Sequence, residues 1–258
     1  MHAQIAAGIL IPFIGGVLGA ALAFFLRREI PEVLHRAIAG FAGGVTVMAT
    51  FNTLIQPAIG GDVHMGKLAF VAPVALGLYL GIQIMLLLGV VILHVRVTRK
   101  WEGRESALKR TAKLFLAVAL HNIPKGMAVG VVYAGLPAGK TGVSHAAALT
   151  LALGIAMMNF SEGATVSTPL REDGVPKSKR FWLGLVSGAV EPVAAALTFA
   201  ALNGGAAAPL FLIAFVTGAI LELTMETMGD DRSTVGTASF ALGFVLMIVL
   251  KIVSDVTG

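Results

Sequence analysis

Three short stretches carry side chains that can bind ions, and each lies inside a run of apolar residues. HNIPKG places His121, Asn122 and Lys125 around Pro124; MNFSEG places Met158, Asn159 and Glu162; SGAVEP ends on Glu191 and Pro192. On a helix, His121 and Lys125 (i, i+4) share a face, as do Asn122 and Lys125, and Asn159 and Glu162 (i, i+3). Imidazole, carboxylate and amide oxygens converging on one point suit a divalent first-row cation such as zinc, iron or manganese, with cadmium as a chemical surrogate. Pro124 and Pro192 donate no backbone hydrogen bond, and each ring clashes with the carbonyl four residues earlier. Both are therefore expected to bend their helices and free a carbonyl beside the polar groups. Taken singly, each residue also has a plainer reading. His121 could be a hydrogen-bonded structural histidine, Met157 and Met158 favour packing over ligation, and Glu162 could merely neutralise Lys125. Together they favour a permeation site.

The elements that must hold these groups are membrane helices. The chain has 258 residues, 57% hydrophobic and 13% charged, where a soluble domain carries about 25% charged residues. Its mean hydropathy is +0.87. Apolar runs long enough to cross a core of about 30 Å recur at 4–26, 37–59, 68–95, 112–134, 145–168, 181–203, 209–229 and 233–254. Their length predicts helices rather than barrel strands, and hence an all-α polytopic bundle of eight transmembrane helices forming a single domain, 1–258. The 31 glycines allow close helix approach.

Basic residues set the orientation. The connections after spans 1, 3 and 5 hold most of the 19 lysines and arginines, among them Arg27, Arg28, Arg99, Lys100, Lys109, Arg110, Lys177 and Arg180. The connections after spans 2, 4 and 6 hold only Lys67 and Lys140. The positive-inside rule puts the first group in the cytoplasm and both termini outside, in a multi-pass cell-membrane protein. The pI near 9.7 then reflects topology anchors facing anionic lipid, and no nucleic-acid module accompanies it. The chain has no cysteine, which excludes disulfides and thiolate metal sites. No nucleophile–base arrangement or phosphate loop points to an enzyme, and no cofactor is expected.

Ionisable residues inside a membrane mark functional sites by default, because each costs a few kcal/mol or more unless paired or hydrated. His121, Lys125, Glu162 and Glu191 fall near mid-membrane. Glu222 and Glu226 lie one turn apart toward the cytoplasmic end of span 7. With Asp230 they form either an exit stage or a solvated helix end, and the sequence favours neither. Asn52, Tyr79 and Gln83 are read as ordinary interhelical hydrogen-bonding groups. HNIPKG and MNFSEG align at matching depth in spans 4 and 5, and interrupted helices with such polar residues are the sequence pointer to a transporter's binding site.

At these residues the chain resembles the ZIP (Zrt/Irt-like) family of divalent metal transporters. HNIPKG, NFSEG and SGAVEP look like the family's motifs in its fourth, fifth and sixth helices. AGFAGGVTVMATFNTLIQPAI in span 2, GAILELTMETMGDD in span 7 and ALGFVLMIVL in span 8 support the likeness. The resemblance implies helices 1–3 and 6–8 as inverted repeats with helices 4 and 5 between them, a 3+2+3 bundle. It further implies a two-metal centre at the midplane and passage toward the cytoplasm by alternating access. It places His121, Asn122, Met158, Asn159, Glu162 and Glu191 on metal-ligand positions, and Glu226 near the cytoplasmic mouth. The metal ion is substrate, the partners are lipid and divalent ions, and a homodimer is compatible with the bundle.

Three positions depart from the family's pattern. Lys125 stands where the family has a metal-bridging glutamate, Met158 where it has histidine or glutamine, and Ser161 where the second motif has proline. An ammonium about 4 Å from a divalent ion, at an effective dielectric of about 20, costs roughly 8 kcal/mol in repulsion. Two metals then cannot bind as in the relatives. One expectation is that Lys125 itself fills one metal position, paired with Glu162 or Glu191, and one ion binds near His121. A second is that Lys125 gives up its proton or swings aside on metal entry. A third is a ZIP-like protein that no longer moves metal, serves as a sensor or regulator, and is locked by a Lys125–Glu162 pair.

Overall fold

The computed structural model describes residues 2–25, 31–56, 67–97, 104–136, 144–172, 175–202, 210–228 and 233–257. These form eight helical segments: α1 (His2–Phe25), α2 (Glu32–Thr50), α3 (Lys67–Val97), α4 (Arg104–Gly135), α5 (His145–Glu172), α6 (Lys177–Leu202), α7 (Leu210–Met228) and α8 (Thr234–Thr257). Among the described residues there is no strand. The chain is an all-helical, polytopic membrane protein. Among the described residues, six segments are long and apolar enough to cross a bilayer: Ala3–Ala21, Glu32–Ile55, Phe70–Val90, His145–Gly163, Lys177–Leu202 and Thr234–Val253. The stretches of α4 and α7 outside this set carry His121, Lys125, Glu222 and Glu226. Protein rather than lipid surrounds the motif of α4, where His121, Asn122 and Lys125 are all buried.

Helix pairing follows from glycines spaced four apart. Gly15 and Gly19 of α1 lie against Ala156 and Phe160 of α5, and Gly40 and Gly44 of α2 against Gly236 and Phe240 of α8. Likewise Gly77 and Gly81 of α3 meet Phe211 and Phe215 of α7, and Gly126 and Gly130 of α4 meet Glu191 and Ala195 of α6. A Cβ at any of these eight glycines would run into the facing backbone carbonyl, so each pair is a close backbone approach that only a missing side chain permits. The same pairs, α1 with α5, α2 with α8, α3 with α7 and α4 with the second half of α6, make the most extensive contacts in the bundle.

The helix interruptions fall elsewhere than the motif alignment predicts. Both α4 and α5 run unbroken through their motifs, with Pro124 accommodated inside α4. The breaks are in α2 and α6. After Thr50, α2 passes into a π-helical turn, Phe51–Ile55, which buries Asn52 and Thr53. There the Thr53 hydroxyl donates to Ala49 O at 2.8 Å, competing with the backbone for that carbonyl. The sixth helix divides at Ala189 into Lys177–Gly188 and Val190–Leu202. Pro192 accounts for the division, because it has no N–H for the carbonyl of Gly188 and its ring crowds that carbonyl. Helix α5 has Ser161 where a proline would break it, and stays continuous.

Candidate ion site

The break in α6 puts Glu191 in the first turn of its second half, where it is 1% exposed. Gly126 of α4 lies against the Glu191 carbonyl, so the close approach of α4 and α6 brings the two motifs side by side. One residue before Gly126, Lys125 is wholly enclosed, at 0% exposure. Its Nζ donates to Asn159 Oδ1 at 2.9 Å and to Glu162 Oε2 at 2.5 Å. An ammonium with no access to water requires such acceptors, and both come from the α5 motif.

Asn159 is the hub of this network. While its oxygen accepts from Lys125, its Nδ2 donates to Pro12 O of α1 at 3.0 Å and to Glu191 Oε2 at 2.5 Å. Four helices, α1, α4, α5 and α6, therefore meet on one amide. Glu191 Oε1 is buried with no hydrogen-bond partner among the described residues. Asn122 donates from Nδ2 to Ser187 O at 3.1 Å, using a carbonyl just before the break in α6. Asn122, Asn159, Glu162 and Glu191 line one cleft between α1, α4, α5 and α6, with Phe13, Val118 and Phe181 among its walls and Lys177 and Arg180 at one end. The network brings together one amine (Lys125), two amides (Asn122 and Asn159) and two carboxyl groups (Glu162 and Glu191).

His121 makes its contact on a different helix. Its Nε2 lies 3.1 Å from Glu226 Oε2 of α7, close but not aligned as a hydrogen bond. Glu222 is one turn back along α7, and Gly89 of α3 lies beside the Glu226 carboxylate. Met158 is fully buried in an apolar cluster with Ala42, Met85, Ala219 and Leu223, its sulfur 4.0 Å from Thr224 Oγ1. Asp230 lies outside the described residues.

The six expected ligands are thus divided. Asn122, Asn159, Glu162 and Glu191 gather with Lys125; His121 goes with Glu226; Met158 packs. Among the described residues no three histidine or carboxylate side chains are grouped so as to hold a metal, so any ligand set must draw on amides, sulfur, water or a rearrangement. Sequence reasoning missed the partners Pro12 O and Ser187 O, which as backbone carbonyls leave no signature. It also missed His35 of α2, whose Nε2 lies 3.2 Å from Ser161 Oγ. A lone histidine at the edge of an apolar span was the available signal.

Over 239 residues the chain is 31% identical to the zinc transporter GufA of Myxococcus xanthus, covering 89% of this chain and 91% of that protein. The chain belongs to the ZIP family. It is also 34% identical over 246 residues to the zinc transporter ZIPB of Bordetella bronchiseptica, covering 92% of this chain and 77% of the relative. The zinc transporter ZIP11 of Xenopus tropicalis is 38% identical over 155 residues, 57% of this chain and 45% of that protein. The chain thus spans less than half the length of the ZIP11 relatives it matches. No protein-family profile matches the chain. Each of these relatives is a zinc transporter.

Proposed function

We propose that this chain is a divalent-cation transporter of the zinc, iron and manganese class, moving ions toward the cytoplasm by alternating access through a midplane site on α4, α5 and α6. We further propose that it carries one metal at a time, because Lys125 occupies the second position. The observation that carries this reading is the ammonium itself: fully enclosed, 2.9 Å from Asn159 Oδ1 and 2.5 Å from Glu162 Oε2. It fills a place between carboxylates that would otherwise attract a cation. The groups left for an ion are His121 with Glu226 on one side, and Asn122 with the unpartnered Glu191 oxygen on the other. Glu222 and Glu226 would then serve as the cytoplasmic exit stage.

The helix pairing supports an inverted 3+2+3 arrangement of eight spans. Exchanging α1 with α6, α2 with α7, α3 with α8 and α4 with α5 turns the pair α1–α5 into α6–α4, and α2–α8 into α7–α3. All four pairs are present. Such internal symmetry suits alternating access around a fixed midplane site. Basic connections on one side support cytoplasmic loops 1, 3 and 5, with both termini outside.

A second reading has one observation in its favour. The Lys125–Glu162 pair ties α4 to α5 at the depth where an ion would pass, and a chain held shut there would act as a metal sensor or regulator. Uptake into proteoliposomes separates the two. Saturable flux of zinc, iron, manganese or cadmium that falls about tenfold or more in His121→Ala supports transport. No saturable flux of any of the four overturns it.

A further inference from the structure

We propose that the outward side of α3 is the face through which two copies of this chain pair in the membrane. The sequence predicts interhelical hydrogen bonds for Tyr79 and Gln83, yet among the described residues neither has a partner. Tyr79 is 60% exposed and Gln83 is half-buried, and both lie within one turn of the middle of the Phe70–Val90 span. Water does not reach that depth, so a phenol and an amide left unpaired there are costly. The interface, where tyrosine ordinarily anchors, is about 15 Å away.

The two polar residues belong to a regular seam. Leu76, Tyr79, Gln83, Leu86 and Val90 follow one another at alternating steps of three and four residues, the a and d positions of a heptad. Leu76, Leu86 and Val90 are exposed like Tyr79. Gly77 and Gly81, which hold α3 against α7, lie on the opposite side of the helix, so the seam points out of the bundle. A face that only meets lipid needs neither the polar residues nor the heptad period. A second copy accounts for both. Copies inserted by the same rule share one orientation, so two α3 helices pair in parallel about an axis along the membrane normal. Each seam residue then meets its own counterpart, and the central side chain must complement itself. Glutamine does, because its NH2 donates and its oxygen accepts, so two Gln83 amides satisfy each other. A single polar residue in such a seam also fixes its register. This face lies away from the ion site, and the pairing does not depend on transport.

The test uses the full chain in phosphatidylcholine vesicles, with donor and acceptor dyes on separate copies. Energy transfer should rise with the protein-to-lipid ratio and saturate at a dimer. Gln83→Leu should weaken pairing about tenfold and Tyr79→Phe about threefold, while Gln83→Asn, which keeps an amide, should weaken it less than Gln83→Leu. None of these changes removes a contact within the bundle, so each variant should unfold close to the parent's temperature. The chain has no cysteine, which lets one be placed as a probe. Leu86→Cys should oxidise to a disulfide-linked dimer. Ile84→Cys, 41% exposed against 42% for Leu86 but off the seam, should not. A chain that stays monomeric at every ratio would overturn the proposal, whether lipid or another membrane protein covers the face. So would cross-linking through Ile84→Cys as fast as through Leu86→Cys, or pairing unchanged by Gln83→Leu.

Discussion

The two sides of α4 handle charge in opposite ways. Toward α5 and α6, Lys125 is fully enclosed and its partners are fixed by a hub amide that also holds α1. Toward α7, His121 meets a Glu226 side chain that is 39% exposed, with an alignment short of a hydrogen bond. One side is closed, though Glu191 Oε1 lacks a partner among the described residues; the other carries a carboxylate that is partly exposed. On the function proposed above, the lysine turns part of a polar site into structure and leaves His121 with Glu226, and Asn122 with the second Glu191 oxygen, to handle an ion.

Substitutions should separate the two sides, first by their effect on stability. Lys125→Ala should cost about 3–5 kcal/mol, because removing one partner of a buried ion pair leaves the other unpaired. Glu162 keeps 29% side-chain exposure, which puts the expected loss near the lower end. Thermal unfolding in detergent measures it. Asn159→Leu should cost about 2–3 kcal/mol by leaving the Lys125 ammonium short of an acceptor and two buried oxygens short of a donor. An unfolding temperature equal to that of the parent would show that Asn159 is no hub.

Gly126→Ala should cost about 1–3 kcal/mol, since the new methyl meets the Glu191 carbonyl and pushes α4 from α6. Glu226→Gln should change stability by less than about 1 kcal/mol, as expected for a half-exposed partner. In the same variant metal flux should fall about tenfold. If Glu226→Gln destabilises the fold as much as Lys125→Ala, the two sides do not differ in the way described.

Much of this was legible before any coordinates. Each of the eight apolar runs overlaps a described helical segment, and six of these segments are long and apolar enough to cross a bilayer, because span length is set by bilayer thickness and not by tertiary detail. A carboxylate partner for Lys125 was likewise readable as Glu162 or Glu191, since an intramembrane ammonium demands one and few were at its depth; the structure has Glu162. The helix breaks were less so. Pro124 sits inside a continuous α4 held by Gly126 and Gly130 against α6, whereas Pro192 divides its helix. A proline's local chemistry is the same in both, and the packing around it decides the outcome. The parting of His121 from Lys125 was not visible either. Sharing a helix face does not mean sharing partners when three helices converge on that face. Met158 stands on a ligand position by resemblance but favours packing by its chemistry, and it lies in an apolar cluster of α2, α3 and α7.

The central claim is that Lys125 stands in place of one metal ion. The direct measurement is the number of divalent ions bound per chain in Lys125→Glu against the parent, counted by elemental analysis and located by anomalous scattering from metal-soaked crystals. Restoring the carboxylate should remove a repulsion of roughly 8 kcal/mol at about 4 Å and raise the count from one to two, with the new ion between α4, α5 and α6. An unchanged count would contradict the account.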